Sequence, residues 1–325
     1  MTTLATTRPS LRGPVRVLVR QHRTALWAAL ALLLAGVGAV VAMRVWIAVR
    51  SSEELCADGD VTPCGDTTYL TTYARTSTET FLSEGGTTMV LLAALVGVFV
   101  AGPLIARELD SGTFRLAWVQ SVSPTRWLVA RLALPLVLAS AGCVVLMAVY
   151  HWGRAFASDY PYTYNLQWYA EGVYPGLGPV LLGYTVLAVS LGALCAVLLR
   201  RTLLAASATA LLYGLTFVTM TKVRHHLWQP VRLTGDVRPE GAAWYVRSGM
   251  LTSSGKEVGR ENCYTVDGFV DPTACMRHRG GVTFFLDHHP ASHFWPLQLV
   301  ETGILLALAA LALALAFRML RRRHG

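Results

Sequence analysis

Arg107-Glu108-Leu109-Asp110-Ser111-Gly112-Thr113 opens a short charged connection, and Ser123-Pro124-Thr125-Arg126 closes it. The runs on either side, Thr88 to Ala106 and Trp127 to Tyr150, are apolar. Each is long enough to cross a hydrocarbon core of about 30 Å as a helix rising about 1.5 Å per residue. Working outward, four more runs qualify: Ala25 to Ala48, Pro179 to Leu199, Leu203 to Thr221 and Trp295 to Phe317. Lipid offers no partner to backbone polar groups, so these runs read as helices. The expected fold is an all-α integral membrane protein with six transmembrane helices.

Composition agrees. Of 325 residues, 54% are hydrophobic and 14% charged, against about 25% charged in soluble domains. The net charge of +9 is no nucleic-acid footprint, because the basic residues sit at span ends. Heavy Arg, Ala and Leu usage fits a high-GC, actinobacterial kind of source.

Arginine sets the orientation. Arg8, Arg12, Arg16, Arg20 and Arg23 precede the first span. Arg107, Arg115 and Arg126 join the second to the third, Arg200-Arg201 the fourth to the fifth, and Arg318, Arg321, Arg322 and Arg323 follow the sixth. All fall on one side if both termini are cytoplasmic. The connection Ser51 to Gly86 is acidic instead, carrying Glu53, Glu54, Asp58, Asp60, Asp66, Glu79 and Glu84. The first apolar run exceeds the roughly 7 to 15 residues of a cleaved signal and lacks a small-x-small site, so it reads as an uncleaved anchor. Residues 1–24 form a cytoplasmic basic segment. From Pro14, Arg16, Arg20 and Arg23 share one helical face, with Val15, Leu18 and Val19 toward the other. Residues 25–325 are the six-span domain, with outer loops at about 50–87, 151–178 and 222–294.

Cys143 and Cys195 fall inside spans, as small apolar residues do. Cys56 and Cys64 share one outer loop, and Cys263 and Cys275 another. Outside a reducing compartment the expected disulfides are Cys56–Cys64 and Cys263–Cys275, with two cross-loop pairings still open. No paired C-x-x-C spacing supports a metal site. The loop from Lys222 to Phe294 is far longer than a minimal connection. Its Trp228, Trp244, Tyr245, Phe284 and Phe285, with Trp295, suit a small cap at the membrane interface. Thr252 to Gly259 reads as a flexible polar turn.

In the opening stretch, Ser111-Gly112-Thr113 breaks or redirects the chain. Phe114 to Gln120 is half-apolar and suited to the interface. Ser123 caps the next helix and Pro124 takes its first position. Glu108, Gly112-Thr113, Leu116 and Ser123-Pro124-Thr125-Arg126 in this order, between the second and third of six spans, resemble the permease subunits of ABC-2 type exporters. The resemblance implies that Glu108, Ser111, Gly112, Thr113, Leu116 and Arg126 form a coupling hairpin that docks on an ATP-binding cassette subunit. It also implies a second permease chain, identical or related. No phosphate loop is present: Gly255-Lys256 is followed by Glu257, and Met250 stands where the first Gly belongs. The permease itself is thus expected to be no enzyme, with no catalytic residue and no bound cofactor or metal. ATP and magnesium belong to the partner.

Other residues carry their own expectations. Gly102-Pro103 reads as a hinge in the second span. Gly36, Gly38, Gly97, Gly183 and Gly192 permit close helix packing, while Pro175, Gly176, Gly178 and Pro179 suggest a bent entry to the fourth span. Glu301 lies about 9 Å inside the sixth span. A charge at a span centre costs roughly 2.5–3.5 kcal/mol, so Glu301 either lines a translocation path or pairs with Lys222 or Arg224. His288, His289 and His293 have helical ligand spacing, but Pro290 interrupts such a helix, and solvated loop histidines are expected. The function implied is outward movement of an amphiphile (a drug, antibiotic or lipid) across the plasma membrane. A non-transporting sensor or immunity protein on the same scaffold is the alternative. An intramembrane enzyme is disfavoured because Glu301 stands nearly alone.

Overall fold

The computed structural model describes residues 23–52, 67–112, 123–158, 166–236, 238–239, 241–263 and 271–324. Among them, six helical stretches are long and apolar enough to cross a membrane: Leu26–Val49, Tyr73–Ser111, Pro124–Ala155, Val180–Leu199, Thr202–His226 and Ala291–Arg322. Each overlaps a run read from the sequence. The basic N-terminal segment lies, apart from Arg23 and Thr24, outside the described residues, as do Cys56 and Cys64.

The first span lies in α1 (Arg23–Ser52). The second is built from α2 (Thr67–Ser83), α3 (Gly85–Leu95), a π-helical turn at Val96–Ala101 and α4 (Gly102–Ser111). Then come α5 (Pro124–Ser158), α6 (Val180–Leu199) and α7 (Thr202–Val223). A short α8 (Pro272–His278) precedes α9 (Phe294–His324), the sixth span.

Helix α6 is the centre of the bundle. Its most apolar window is 89% buried, against 17% for the third and fifth spans. A helix apolar all round finds its place by being surrounded, and α9, α7, α4, α5 and the π-turn all pack on it. Its small hydroxyls are satisfied within the helix: Thr185 donates to the Leu181 carbonyl at 2.8 Å and Ser190 to Val186 at 2.7 Å. Glycine sets the closest approach. A Cβ on Gly192 would lie 2.6 Å from the Gly97 carbonyl oxygen, and one on Gly97 would overlap the Ala188 carbonyl. The second span therefore crosses α6 backbone to backbone.

The expected hinge at Gly102-Pro103 is a continuous helix widened just upstream. Proline lacks an N–H and its ring collides with the carbonyl four residues back. The π-turn at Val96–Ala101 accommodates this, and the Gly102 N–H reaches back five residues to the Gly97 carbonyl. At its other end the second span starts earlier than Thr88. Tyr73–Ser111 runs for 39 residues, roughly 58 Å of helix, so it projects well beyond a hydrocarbon core. The polar α2 is this projection, packed against α1 and α5. Trp46 meets Tyr73 edge-on, and the Arg44 guanidinium lies 3.8 Å from the Trp152 ring centre.

The all-α expectation fails in the long loop before α9. There, β1 (Val231–Thr234), β2 (Trp244–Thr252), β3 (Glu257–Gly259) and β4 (Gly281–His289) form an antiparallel sheet in the order β1-β4-β2-β3. Arg232 pairs with Asp287 and Gly249 with Phe285. The stretch expected to be a flexible turn is the β2–β3 hairpin. Gly255 takes φ +81 and its N–H bonds the Thr252 carbonyl at 2.9 Å. Short runs of β-branched and aromatic residues such as Val282-Thr283-Phe284-Phe285 favour strands. One face covers a small core of Met250, Val258, Cys263 and Met276. The Cys263–Cys275 disulfide, as expected, closes it.

Candidate functional site

Two ends of the bundle gather the residues of interest. At one, α4, the start of α5, the ends of α6 and α9 and the start of α7 share a core of Ala101, Ile105, Leu109, Trp127, Leu128, Val197, Ala205 and Leu320. Here α4 ends as its sequence demands: Gly112 adopts φ +72, the left-handed conformation that closes helices. Ser111 donates to the Glu108 carbonyl at 3.5 Å. On the returning leg the Trp127 N–H bonds the Ser123 carbonyl at 3.0 Å, and the Arg126 N–H reaches Ser123 Oγ at 3.4 Å. Pro124 follows Ser123 as the first helical residue of α5.

Glu108 ties the two legs. Its carboxylate accepts from Trp127 Nε1 at 3.0 Å and pairs with Arg131. Trp127 is 5% exposed, so the indole hydrogen bond is shielded from competing water. The carboxylate is thereby committed to bracing the second span against the third. Arg131 and the indole N–H escaped the sequence reading. Their signal was a lone arginine in an apolar run, one helical turn beyond Trp127 and near Glu108 across the connection. Thr113 and Leu116 lie outside the described residues. Gly102 and Pro103 are buried against α6.

At the opposite end lies a buried polar cluster. Glu301, fully buried, accepts from Arg224 Nε at 2.8 Å and Nη2 at 3.2 Å, and from the Tyr184 hydroxyl at 3.0 Å. Arg224 sits in a 3-10 turn (Arg224–His226) after α7, 1% exposed, with its guanidinium carbon 4.1 Å from the Tyr174 ring centre. Of the two partners weighed for Glu301, Arg224 is the one in contact. One turn earlier in α9, Gln298 accepts from the Val180 N–H at 3.1 Å and donates to the Tyr174 carbonyl at 2.9 Å. It thereby caps the bent entry to α6, a 3-10 turn at Tyr174–Leu177.

The histidines depart from expectation. His288 and His289 belong to β4, 5% and 0% exposed, and are not solvated loop residues. His289 Nε2 bonds the His225 carbonyl at 3.0 Å, and its Nδ1 lies 3.0 Å from His293 Nδ1. Burial pushes the His289 imidazole below its usual value. No cluster of three or more metal-ligating side chains is present among the described residues. Higher in the cap, Asp287 is held by Arg232 at 2.7 and 2.8 Å, and by Arg247, which also bonds Glu257. Hydrogen bonds from Arg232 foremost hold both the Asp287 and the Glu257 carboxyls below the usual range.

Six spans, one of them a buried central helix, define a multi-pass membrane protein. The family model described as ABC-2 membrane transporter related matches residues 25–224, and the chain belongs to that family. The matched residues cover the first five spans and end at Arg224, so the cap and the sixth span lie beyond them. No curated protein and no solved structure matches the chain.

Proposed function

We propose that this chain is the permease subunit of an ATP-driven exporter in the plasma membrane, with both termini cytoplasmic and the cap outside. A separate ATP-binding cassette subunit hydrolyses ATP with magnesium and drives the hairpin at Glu108 to Arg126. A second permease chain, identical or related, completes the pore, and an amphiphile leaves through it. The observation that carries the reading is the family match joined to a capped, charged hairpin whose legs Glu108 locks together. Force applied to such a hairpin moves two spans as a unit. The Cys263–Cys275 disulfide favours an oxidising compartment for the cap.

The test is co-expression with an ATP-binding cassette subunit sought in the neighbouring reading frame. The two should co-purify, and the complex in proteoliposomes should hydrolyse ATP faster when its amphiphile is present. Absence of any co-purifying ATPase would overturn the reading. ATPase activity with no transport would favour the sensor.

A further inference from the structure

We propose that His289 and His293 form a proton-operated latch between the cap and the bundle, closed when both are neutral and released when the cap side of the membrane acidifies. Three separate pieces of chain meet at this pair. His225 follows the end of α7, His289 ends β4, and His293 closes the 3-10 turn at Ala291–His293 that leads into α9.

Chemistry fixes the protons. The His225 carbonyl can only accept, so His289 Nε2 carries a proton and donates at 3.0 Å. In the neutral ring Nδ1 is then an acceptor, and the facing His293 Nδ1 donates to it across 3.0 Å. One further proton is tolerated, because His293 takes it on Nε2 while still donating from Nδ1. A second must go onto His289 Nδ1, which sets N–H against N–H at hydrogen-bond distance. The bond between β4 and the start of α9 is then lost.

Among the described residues no neighbouring group compensates that charge. The titratable groups that act on His289 are His225 from the 3-10 turn, His288 on its own strand and His293, and His226 stacks on His225. With His289 itself, five of the chain's nine histidines gather here. On the flanking elements, the Asp287 and Glu301 carboxylates are already engaged, Asp287 by Arg232 and Arg247 and Glu301 by Arg224. The Trp244 ring lies 5.4 Å from that of His289, and Tyr245 pairs across the sheet with His288. His289 is fully buried, and His288 Nδ1 is buried without a hydrogen-bond partner. An uncompensated buried cation is costly, and burial already holds His289 below its usual value.

The sign follows from linkage. The released state binds protons with an ordinary value of about 6.5, and the latched state with a lower one. The latch is therefore at full strength above about pH 6.5 and weakens below it, by up to about tenfold per pH unit per proton.

The experiment is hydrogen–deuterium exchange on the full chain in lipid nanodiscs with chelator present, at about pH 7.5 and about pH 5, corrected for intrinsic exchange. Wild type should lose about tenfold or more protection at 286–294 on acidification, while α6 stays protected. His289→Asn keeps an acceptor near the Nδ1 position for the His293 N–H but removes the site of the second proton. It should be protected at the higher pH and change less than about twofold. Equal protection of wild type at both pH values overturns the latch, whatever the variant does. So does a His289→Asn response matching wild type. A response seen only without chelator overturns it as well, because a metal would then hold the pair. The measurement needs no partner subunit, so its outcome is separate from that of the exporter reading.

Discussion

Removing the Glu301 charge tests the buried cluster most directly. In Glu301→Gln the side chain keeps its shape and still accepts from the Tyr184 hydroxyl, now 3.0 Å from Glu301 Oε1. Arg224 keeps its charge and its 1% exposure, and the amide sets N–H groups against the guanidinium. Stranding one member of a buried ion pair costs about 3–5 kcal/mol. The contact of Arg224 with the Tyr174 ring, 4.1 Å from its centre, is present in both forms and cancels, while the retained Tyr184 hydrogen bond sets the loss at the low end of that range. The expected loss is therefore about 3 kcal/mol, roughly a hundredfold in the unfolding equilibrium. Arg224→Met joined to Glu301→Gln removes the stranded charge and leaves the Tyr184 acceptor. It should recover all but about 1 kcal/mol. A double-mutant cycle by SDS titration in mixed micelles, read by tryptophan fluorescence, gives the coupling, expected to exceed about 2 kcal/mol. Transport should change little in any variant that folds. If the double variant is no more stable than Glu301→Gln, the stranded-charge argument fails. If Glu301→Gln keeps wild-type stability but loses transport, Glu301 serves the translocation path instead.

Three further outcomes are expected. Gly192→Ala, whose Cβ would sit 2.6 Å from the Gly97 carbonyl oxygen, should lower stability by about 1–3 kcal/mol through overpacking. Gly38→Ala, with nothing within 4 Å, should be near neutral in the same thermal-shift assay. Cys275→Ser opens a disulfide of sequence separation 12 and should cost the cap about 3 kcal/mol, read as faster proteolysis of 231–289 with the spans intact. The Asp287 and Glu257 carboxyls, held low foremost by Arg232, are ionised in the folded cap. Their stabilisation is complete above the unfolded values near 4 and is lost as pH falls through the lower folded ones. Exchange across β1 and β4 should show an acid-limb loss below about pH 4 that Asp287→Asn diminishes, leaving the transition nearer pH 6 unchanged.

The spans were legible because bilayer thickness imposes a length on any apolar run, and runs such as Val180 to Leu199 have no other use. Helix caps were equally readable, since Ser123-Pro124 and Gly112 act through their own backbone neighbours. The projection of the second span was hidden because α2, with its threonines and Glu79, carries no apolar signal. It is fixed as helix by α1 and α5 beside it. The sheet was hidden for a related reason. Its strands are short and interrupted by Arg232, Arg247 and Asp287, and these charges face one another only once β1, β4 and β2 align. Loop residues whose partners lie far off in the chain look solvated when read singly, as His288 and His289 did.

Polar groups inside the bundle follow the same logic and decide where it is stiff. Arg131 and Glu301 are single charges within apolar runs, each costly to insert alone, and Glu108 and Arg224 meet them from the ends of other spans. Their pairing cancels most of that cost only in one arrangement of the helices. The two pairs therefore fix opposite ends: Glu108 joins the second span to the third, and Arg224 joins the end of the fifth to the sixth. Between them the second span crosses α6 at Gly97 and Gly192, where no side chain interlocks. Contacts of that kind resist separation through close van der Waals packing, but they hold few side-chain knobs against sliding. The π-turn, with hydrogen bonds less regular than those of the flanking helix, lies at this crossing. A displacement of the paired hairpin legs would thus meet its least resistance at Gly97–Gly192 and its greatest at the ion pairs.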